Sequence, residues 1–142
     1  MRKIQLLVLL SLLATPVYAA DTREAAQRTP EEKEFVLDQM RLFLTSLQAI
    51  NADLADGRMT EAAAEAAARG RKASAQLAKP ASISAKESDT WKTLMGNVRV
   101  GFDNIASSAA AGQPVPRVLG EVGATMQNCV ACHRTYRIVE TE

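Results

Sequence analysis

Apolar side chains recur along this chain in steps of three and four residues, which is the period of an amphipathic helix. The first series is Val36, Met40, Phe43, Leu47, Ile50 and Leu54. It predicts one long helix over residues 31–55. Thr29 is in position to cap its start, and Gly57 is a natural stop. The preceding stretch ADTREAAQRT is expected to be a polar lead-in.

An alanine-rich segment follows, and it predicts a second helix over residues 59–78, before Pro80. Alanine is the best helix former, and its small side chain lets a helix approach its neighbour closely. Gly70 is a weak point within this helix. The segment SAKE, from Ser84 to Glu87, matches a capping box and predicts the start of a third helix over residues 85–110.

The apolar stripe of the third helix is Trp91, Met95, Val98, Phe102, Ile105 and Ala109, and that of the fourth is Leu119, Val122, Met126, Cys129, His133 and Tyr136. The fourth helix begins near Pro116, and its period places Cys129 and His133 on one inward face. Strand-type alternation is lacking, so β structure is not expected. Four helices with short links predict an all-α fold, an antiparallel up-down-up-down four-helix bundle.

The first 19 residues have the features of a secretory signal peptide. Arg2 and Lys3 precede an apolar run, and small residues end it, with cleavage expected after Ala19 or, alternatively, Ala20. An uncleaved membrane anchor is the other interpretation, but the run is shorter than the roughly 20 residues of a membrane span and contains Pro16. We therefore expect an exported protein whose mature domain is residues 20–142.

The charge balance argues against nucleic-acid binding. Without Arg2 and Lys3 the chain keeps 15 basic and 16 acidic side chains, a net charge near −1. No basic stripe is available to neutralise phosphates. The remaining charged residues are expected on solvated faces, with Glu65 and Arg69 as an ordinary i,i+4 pair.

Both cysteines and the only histidine lie together in NCVACHRTYR, near the end of the fourth predicted helix. The order C-x-x-C-H is the attachment pattern of a c-type haem. Cys129 and Cys132 can each form a thioether bond with a haem vinyl group. His133 then lies beneath the iron as the proximal ligand. The sequence predicts one haem c per chain.

Three other roles for these residues fit less well. A C-x-x-C redox pair is expected near a strand–helix turn, and no strand is predicted. A closed zinc site needs four ligands, whereas the chain has three cysteine and histidine residues in all. A simple disulfide would leave His133 without a role.

The segment CVACHRTYR at the end of a four-helix chain resembles the class II c-type cytochromes, the cytochrome c-prime family. Their hallmark C-x-x-C-H-x-x-[YF]-R in the last helix is matched by Cys129, Cys132, His133, Tyr136 and Arg137. The resemblance implies a four-helix bundle with haem c among the helices, a bacterial periplasmic location, and frequent dimers through the first two helices.

Within this family the first helix supplies the residue on the distal side of the iron, and Met40 holds the matching position. A methionine there implies a six-coordinate, low-spin electron carrier. An apolar lid implies an open site for small gases. Met40 also fits its stripe as a packing residue, and Val36 stands where the family often has arginine. Met126, Met95 and Met59 match the family position less well.

The resemblance suggests that Arg137 lies on the proximal side, near His133 and a haem propionate, and that the Tyr136 ring packs on the haem edge. Arg137 could instead be a solvated residue that favours the helix dipole, and Tyr136 a plain core aromatic. Trp91 is expected in the core or the pocket wall.

Two functions remain open. One is a periplasmic carrier of single electrons between redox proteins. The other is a five-coordinate haem protein that binds nitric oxide or carbon monoxide. An enzyme is not expected, because no second histidine or evident general base is available for the haem pocket.

Overall fold

The computed structural model describes residues 20–141, and this part of the chain is mainly helical. The elements are β1 (Glu24–Arg28), α1 (Pro30–Ala55), α2 (Met59–Ala67), α3 (Arg71–Ser74), α4 (Ala81–Lys86), α5 (Asp89–Ala110), α6 (Val115–Thr135) and β2 (Tyr136–Glu140). The predicted signal peptide lies outside the described residues. None of the helices within residues 20–141 is long and apolar enough to cross a membrane.

The first long helix begins and ends where the sequence predicts. Thr29 Oγ1 accepts the Glu32 amide hydrogen at 3.3 Å, and Glu32 Oε2 accepts that of Thr29 at 2.9 Å, so the two residues form a capping box. Beyond the other end, Gly57 has φ +73°, the left-handed conformation that favours glycine.

The predicted single helix over residues 59–78 is wrong, because the chain turns at Gly70 and continues as α3 and then α4. Asp103 on α5 lies against this turn and accepts the Arg71 amide hydrogen at 3.3 Å. A Cβ atom added at Gly70 would lie 2.0 Å from Asp103 Oδ1. The carboxylate therefore occupies space that only glycine leaves free.

The predicted start of the third long helix is also wrong. Ser84 lies inside α4, and Glu87 is extended and paired with Lys79 at 2.7 Å. The N-cap of α5 is Ser88, whose Oγ accepts the Trp91 amide hydrogen at 3.2 Å. Ser84 and Ser88 are both suitable N-cap residues, and the helix begins after Ser88.

Contrary to the sequence prediction, the chain contains β structure. Strands β1 and β2 pair in parallel, with a register that runs from Glu24 opposite Tyr136 to Arg28 opposite Glu140. The predicted polar lead-in is therefore a strand, and Tyr136 begins β2 rather than continuing the helix. Strand pairing is made by backbone hydrogen bonds, so it can form without alternating apolar and polar side chains.

The buried apolar residues form two clusters. We call the first the main core, and it comprises Phe43, Leu47, Ile50, Leu54, Ala62, Ala66, Val98, Phe102, Ile105, Ala109, Val118 and Val122. The second, the strand-end cluster, comprises Ala26, Val36, Ile83, Trp91, Cys132 and Tyr136. Helix α5 contributes to both and packs against α2 and α6.

The predicted stripe of α6 combines two neighbouring faces of that helix. Val118, Val122 and Thr125 are buried, whereas Leu119 is 42% and Met126 43% exposed. The inward prediction is therefore right for Val122 and wrong for Leu119, Met126 and His133, which is also exposed. The remaining face of α6 borders a large cavity.

Candidate functional site

A cavity of about 590 Å³ lies between α1, α5 and α6. Its walls are almost entirely apolar, and they include Phe43, Leu47 and Val98 from the main core and Cys132 from the strand-end cluster. The cavity thus lies where the two clusters meet. This volume is within the range of roughly 300–1,000 Å³ that is typical of small-molecule and cofactor sites.

Helix α6 brings all three residues of the C-x-x-C-H motif to this cavity. Cys132 is buried, Cys129 is half-buried, and His133 lines the cavity from its exposed edge. The helical spacing explains the arrangement, because residues three and four apart lie on one side of a helix. The two thiols and the imidazole therefore border one space.

Met40 lines the same cavity from α1 and is half-buried there. Met95 on α5 and Met126 on α6 also line it. Met59 does not, since it packs against the main core instead. Three of the four methionines weighed from the sequence therefore have access to this space, and Met40 and Met95 approach it from helices other than the one that carries the motif.

Cys129 and Cys132 are free thiols. Burial raises the pKa of each, and the neighbouring Cys129 adds to the effect at Cys132. Reactive redox cysteines have a lowered pKa, because the thiolate is the nucleophile. Among residues 20–141 no group of three or more His, Cys, Asp or Glu side chains could hold a metal ion by itself.

Two arginines line the cavity beside its apolar walls. Arg41 on α1 is exposed and donates to Asp38 at 2.6 Å and Glu34 at 3.0 Å. Arg134 follows the motif histidine on α6 and is also exposed. Sequence reasoning overlooked Arg134. Its position next to His133 is the one feature of the sequence that indicates a place at the cavity.

Tyr136 and Arg137 lie away from this cavity. The Tyr136 ring packs edge-on against Trp91, with 5.1 Å between ring centroids, and its hydroxyl lies 2.7 Å from Ser88 Oγ. Arg137 Nε lies 3.9 Å from Asp21 Oδ2. Helix α6 ends at Thr135, and both residues therefore belong to β2. Trp91 is a core residue of the strand-end cluster.

The expectation that the charged residues are solvated is wrong for two of them. Arg28 is 1% and Glu32 3% exposed. Lys86 Nζ lies 2.7 Å from Glu32 Oε2, and this hydrogen bond is the main reason that the pKa of Glu32 falls from 4.5 to about 2. The predicted pair of Glu65 and Arg69 is confirmed, with Arg69 Nη2 at 3.8 Å from Glu65 Oε1.

The cavity is large and apolar enough to hold a largely apolar cofactor. The apolar walls would contact the body of the cofactor, and Arg41 and Arg134 could pair with carboxylates that it carries. The thiols offer attachment points, and His133 offers an imidazole that can ligate iron. Comparison of the whole chain with family models, curated proteins and solved structures found no match. The side chains of the cavity are therefore what supports a function.

Proposed function

We propose that the protein is an exported c-type cytochrome that carries single electrons between periplasmic redox proteins. One haem c would be held by thioether bonds to Cys129 and Cys132, with His133 as the proximal iron ligand. The observation that carries this proposal is that the complete C-x-x-C-H motif lines an apolar cavity of about 590 Å³ between α1, α5 and α6. When bound, the haem supplies an iron that cycles between the ferrous and ferric states.

The attachment requires no oxidant. Each thiol would add across one vinyl group, so that its sulfur would bond to one vinyl carbon and its hydrogen would go to the other. The two cysteines must be reduced at that moment, and they are free thiols here. Burial raises the pKa of each thiol further above neutral pH.

Met40 is the proposed distal ligand. It lines the cavity from α1, whereas His133 borders it from α6, so the two side chains approach the same space from different helices. Helices α1, α2, α5 and α6 are proposed to form the antiparallel bundle that the sequence predicts. Dimers through the first two helical segments belong to the same proposal.

A second candidate function is gas binding, and the packing of Met40 favours it. The Met40 side chain packs against the strand-end cluster, as a core residue would. If it stays there, the distal face of the iron has no protein ligand. Nitric oxide or carbon monoxide would then bind at this face.

The first experiment tests attachment. We expect protein produced with a haem-attachment system to keep the mass of one haem after denaturation. The double variant Cys129→Ala, Cys132→Ala should lose it. Haem that can be extracted from the native protein into acidified organic solvent would contradict the proposal. His133→Ala should separately abolish normal proximal ligation, seen as a changed absorption spectrum.

The second experiment distinguishes the two functions. If Met40 ligates the iron, the ferric protein is low-spin with a weak near-infrared sulfur-to-iron band, and Met40→Leu makes it high-spin. Met59→Leu is the matched control, because Met59 packs against the main core and does not line the cavity. A native high-spin spectrum would favour gas binding. A low-spin spectrum that survives Met40→Leu would make Met95 the ligand to test next.

A further inference from the structure

A second cavity of about 350 Å³ lies beside the strands, and it shares no lining residue with the first. Its walls include Glu24, Arg28, Lys86, Ser88, Trp91 and Tyr136. Neither the haem motif nor the methionines border it. The electron-transfer proposal therefore assigns this space no role.

The feature that distinguishes this cavity is a buried arginine. Arg28 is 1% exposed, and its guanidinium lies 5.1 Å from the centroid of the Trp91 ring. Nη1 donates to the Gln27 carbonyl oxygen at 2.8 Å, while the buried Nε has no hydrogen-bond partner among residues 20–141. An arginine buried without an anionic partner is costly, because it loses the hydration of a full charge.

The other charges of the cavity do not compensate Arg28. Lys86 is paired with Glu32 at 2.7 Å, so these two charges cancel each other. Glu24 is exposed and makes no ion pair in the described part of the chain, and neither does Arg28. The buried charge that remains is a single positive one. A ligand with one negative charge would neutralise it, whereas a dianion would leave excess charge close to Glu24.

We propose that this cavity binds a small, planar monocarboxylate. The fork of guanidinium donors matches the geometry of a carboxylate, and the unpartnered Nε is one of those donors. Trp91 and Tyr136, which are 3% and 6% exposed, contribute narrow ring edges to the wall that a flat ligand body can contact. The volume is at the lower end of the range for ligand sites, which suits a ligand of this size.

The test is calorimetric titration of benzoate into the purified mature protein. We expect one saturable site, and Arg28→Met should weaken binding about tenfold or more. Arg117→Met is the matched control. Arg117 is an exposed arginine on α6 that pairs with Glu121 at 3.3 Å, and its variant should bind as the native protein does. Unchanged benzoate affinity in Arg28→Met would overturn the proposal.

Glu24→Gln gives a second, independent result, because it removes a negative charge at the cavity wall that repels an anionic ligand and leaves Arg28 in place. Benzoate should bind more tightly to this variant. This measurement decides the question if Arg28→Met does not fold, and unchanged or weaker binding would overturn the proposal. Sulfate should bind less tightly than benzoate to the native protein, and the reverse order would equally contradict a monocarboxylate site.

Discussion

The main core and the strand-end cluster are assembled by different means. The main core joins aliphatic and phenylalanine side chains from helices, including the stacked pair Phe43 and Phe102, whose ring centroids are 5.5 Å apart. The strand-end cluster joins residues from strands and helices, and it adjoins the buried charges of Arg28 and Glu32. One region is held mainly by apolar packing, and the other also depends on hydrogen bonds and ion pairs.

The difference bears on where the proposed haem site lies. Met95 packs against both clusters, and the large cavity opens between them. A well-packed interior leaves few voids, whereas two separately packed clusters can enclose a space at their boundary. Disturbing each cluster in turn should therefore affect stability by different mechanisms.

The largest expected effect is from removing the aromatic centre of the main core. Phe102 is 0% exposed, and Phe102→Ala should lower the free energy of unfolding by about 3–5 kcal/mol through lost burial and a residual cavity. Urea denaturation followed by circular dichroism measures it. Val100→Ala is the control on the same helix, where the side chain is 37% exposed. A loss below about 1 kcal/mol in Phe102→Ala would contradict the assignment of this core.

Two glycines of α5 differ in how closely other atoms approach them. A Cβ at Gly101 would lie 2.2 Å from Thr125 Oγ1, and Thr125 is buried on α6. Gly101→Ala should therefore cost about 1–3 kcal/mol. At Gly96 nothing lies within 4 Å, so Gly96→Ala should stabilise by about 0.5–1 kcal/mol. Equal effects of the two substitutions on the urea midpoint would refute the close α5–α6 contact.

A smaller effect is expected from the hydrogen bond of the strand-end cluster. Tyr136→Phe removes the contact of 2.7 Å with Ser88 Oγ but keeps the ring against Trp91. The free energy of unfolding should fall by about 0.5–1.5 kcal/mol. The double variant with Ser88→Ala isolates this contact, because the loss from Tyr136→Phe should shrink once Ser88 is absent. Additive losses would show that the two hydroxyls do not interact.

The last expected effect is a change in how stability depends on pH in acid. The Lys86 ammonium holds the pKa of Glu32 at about 2, below its ordinary value of 4.5. A carboxyl whose pKa is lowered on folding stabilises the protein fully above pH 4.5. That contribution is lost as the pH falls toward 2. In Glu32→Gln the free energy of unfolding should depend less steeply on pH across this window, as measured by urea denaturation at a series of pH values.

Much of the helical framework could be predicted from the sequence alone. The stripe from Val36 to Leu54 located α1, and Thr29 and Gly57 marked its ends, because helix period and capping depend on neighbours only a few residues away. The same local rules placed Phe102 and Ile105 in the core and put Cys129, Cys132 and His133 on one helix. The spacing of the C-x-x-C-H motif also predicts haem attachment, which stays a prediction.

Only the tertiary structure decided the features that depend on partners distant in the chain. The predicted second helix is interrupted at Gly70, where Asp103, 33 residues further along the chain, lies against the backbone. The pairing of β1 with β2 ends α6 and moves Tyr136 into the strand-end cluster. Burial of Arg28 over Trp91 follows from that pairing. Local patterns carry no information about such contacts, because their free energy arises only when remote segments meet.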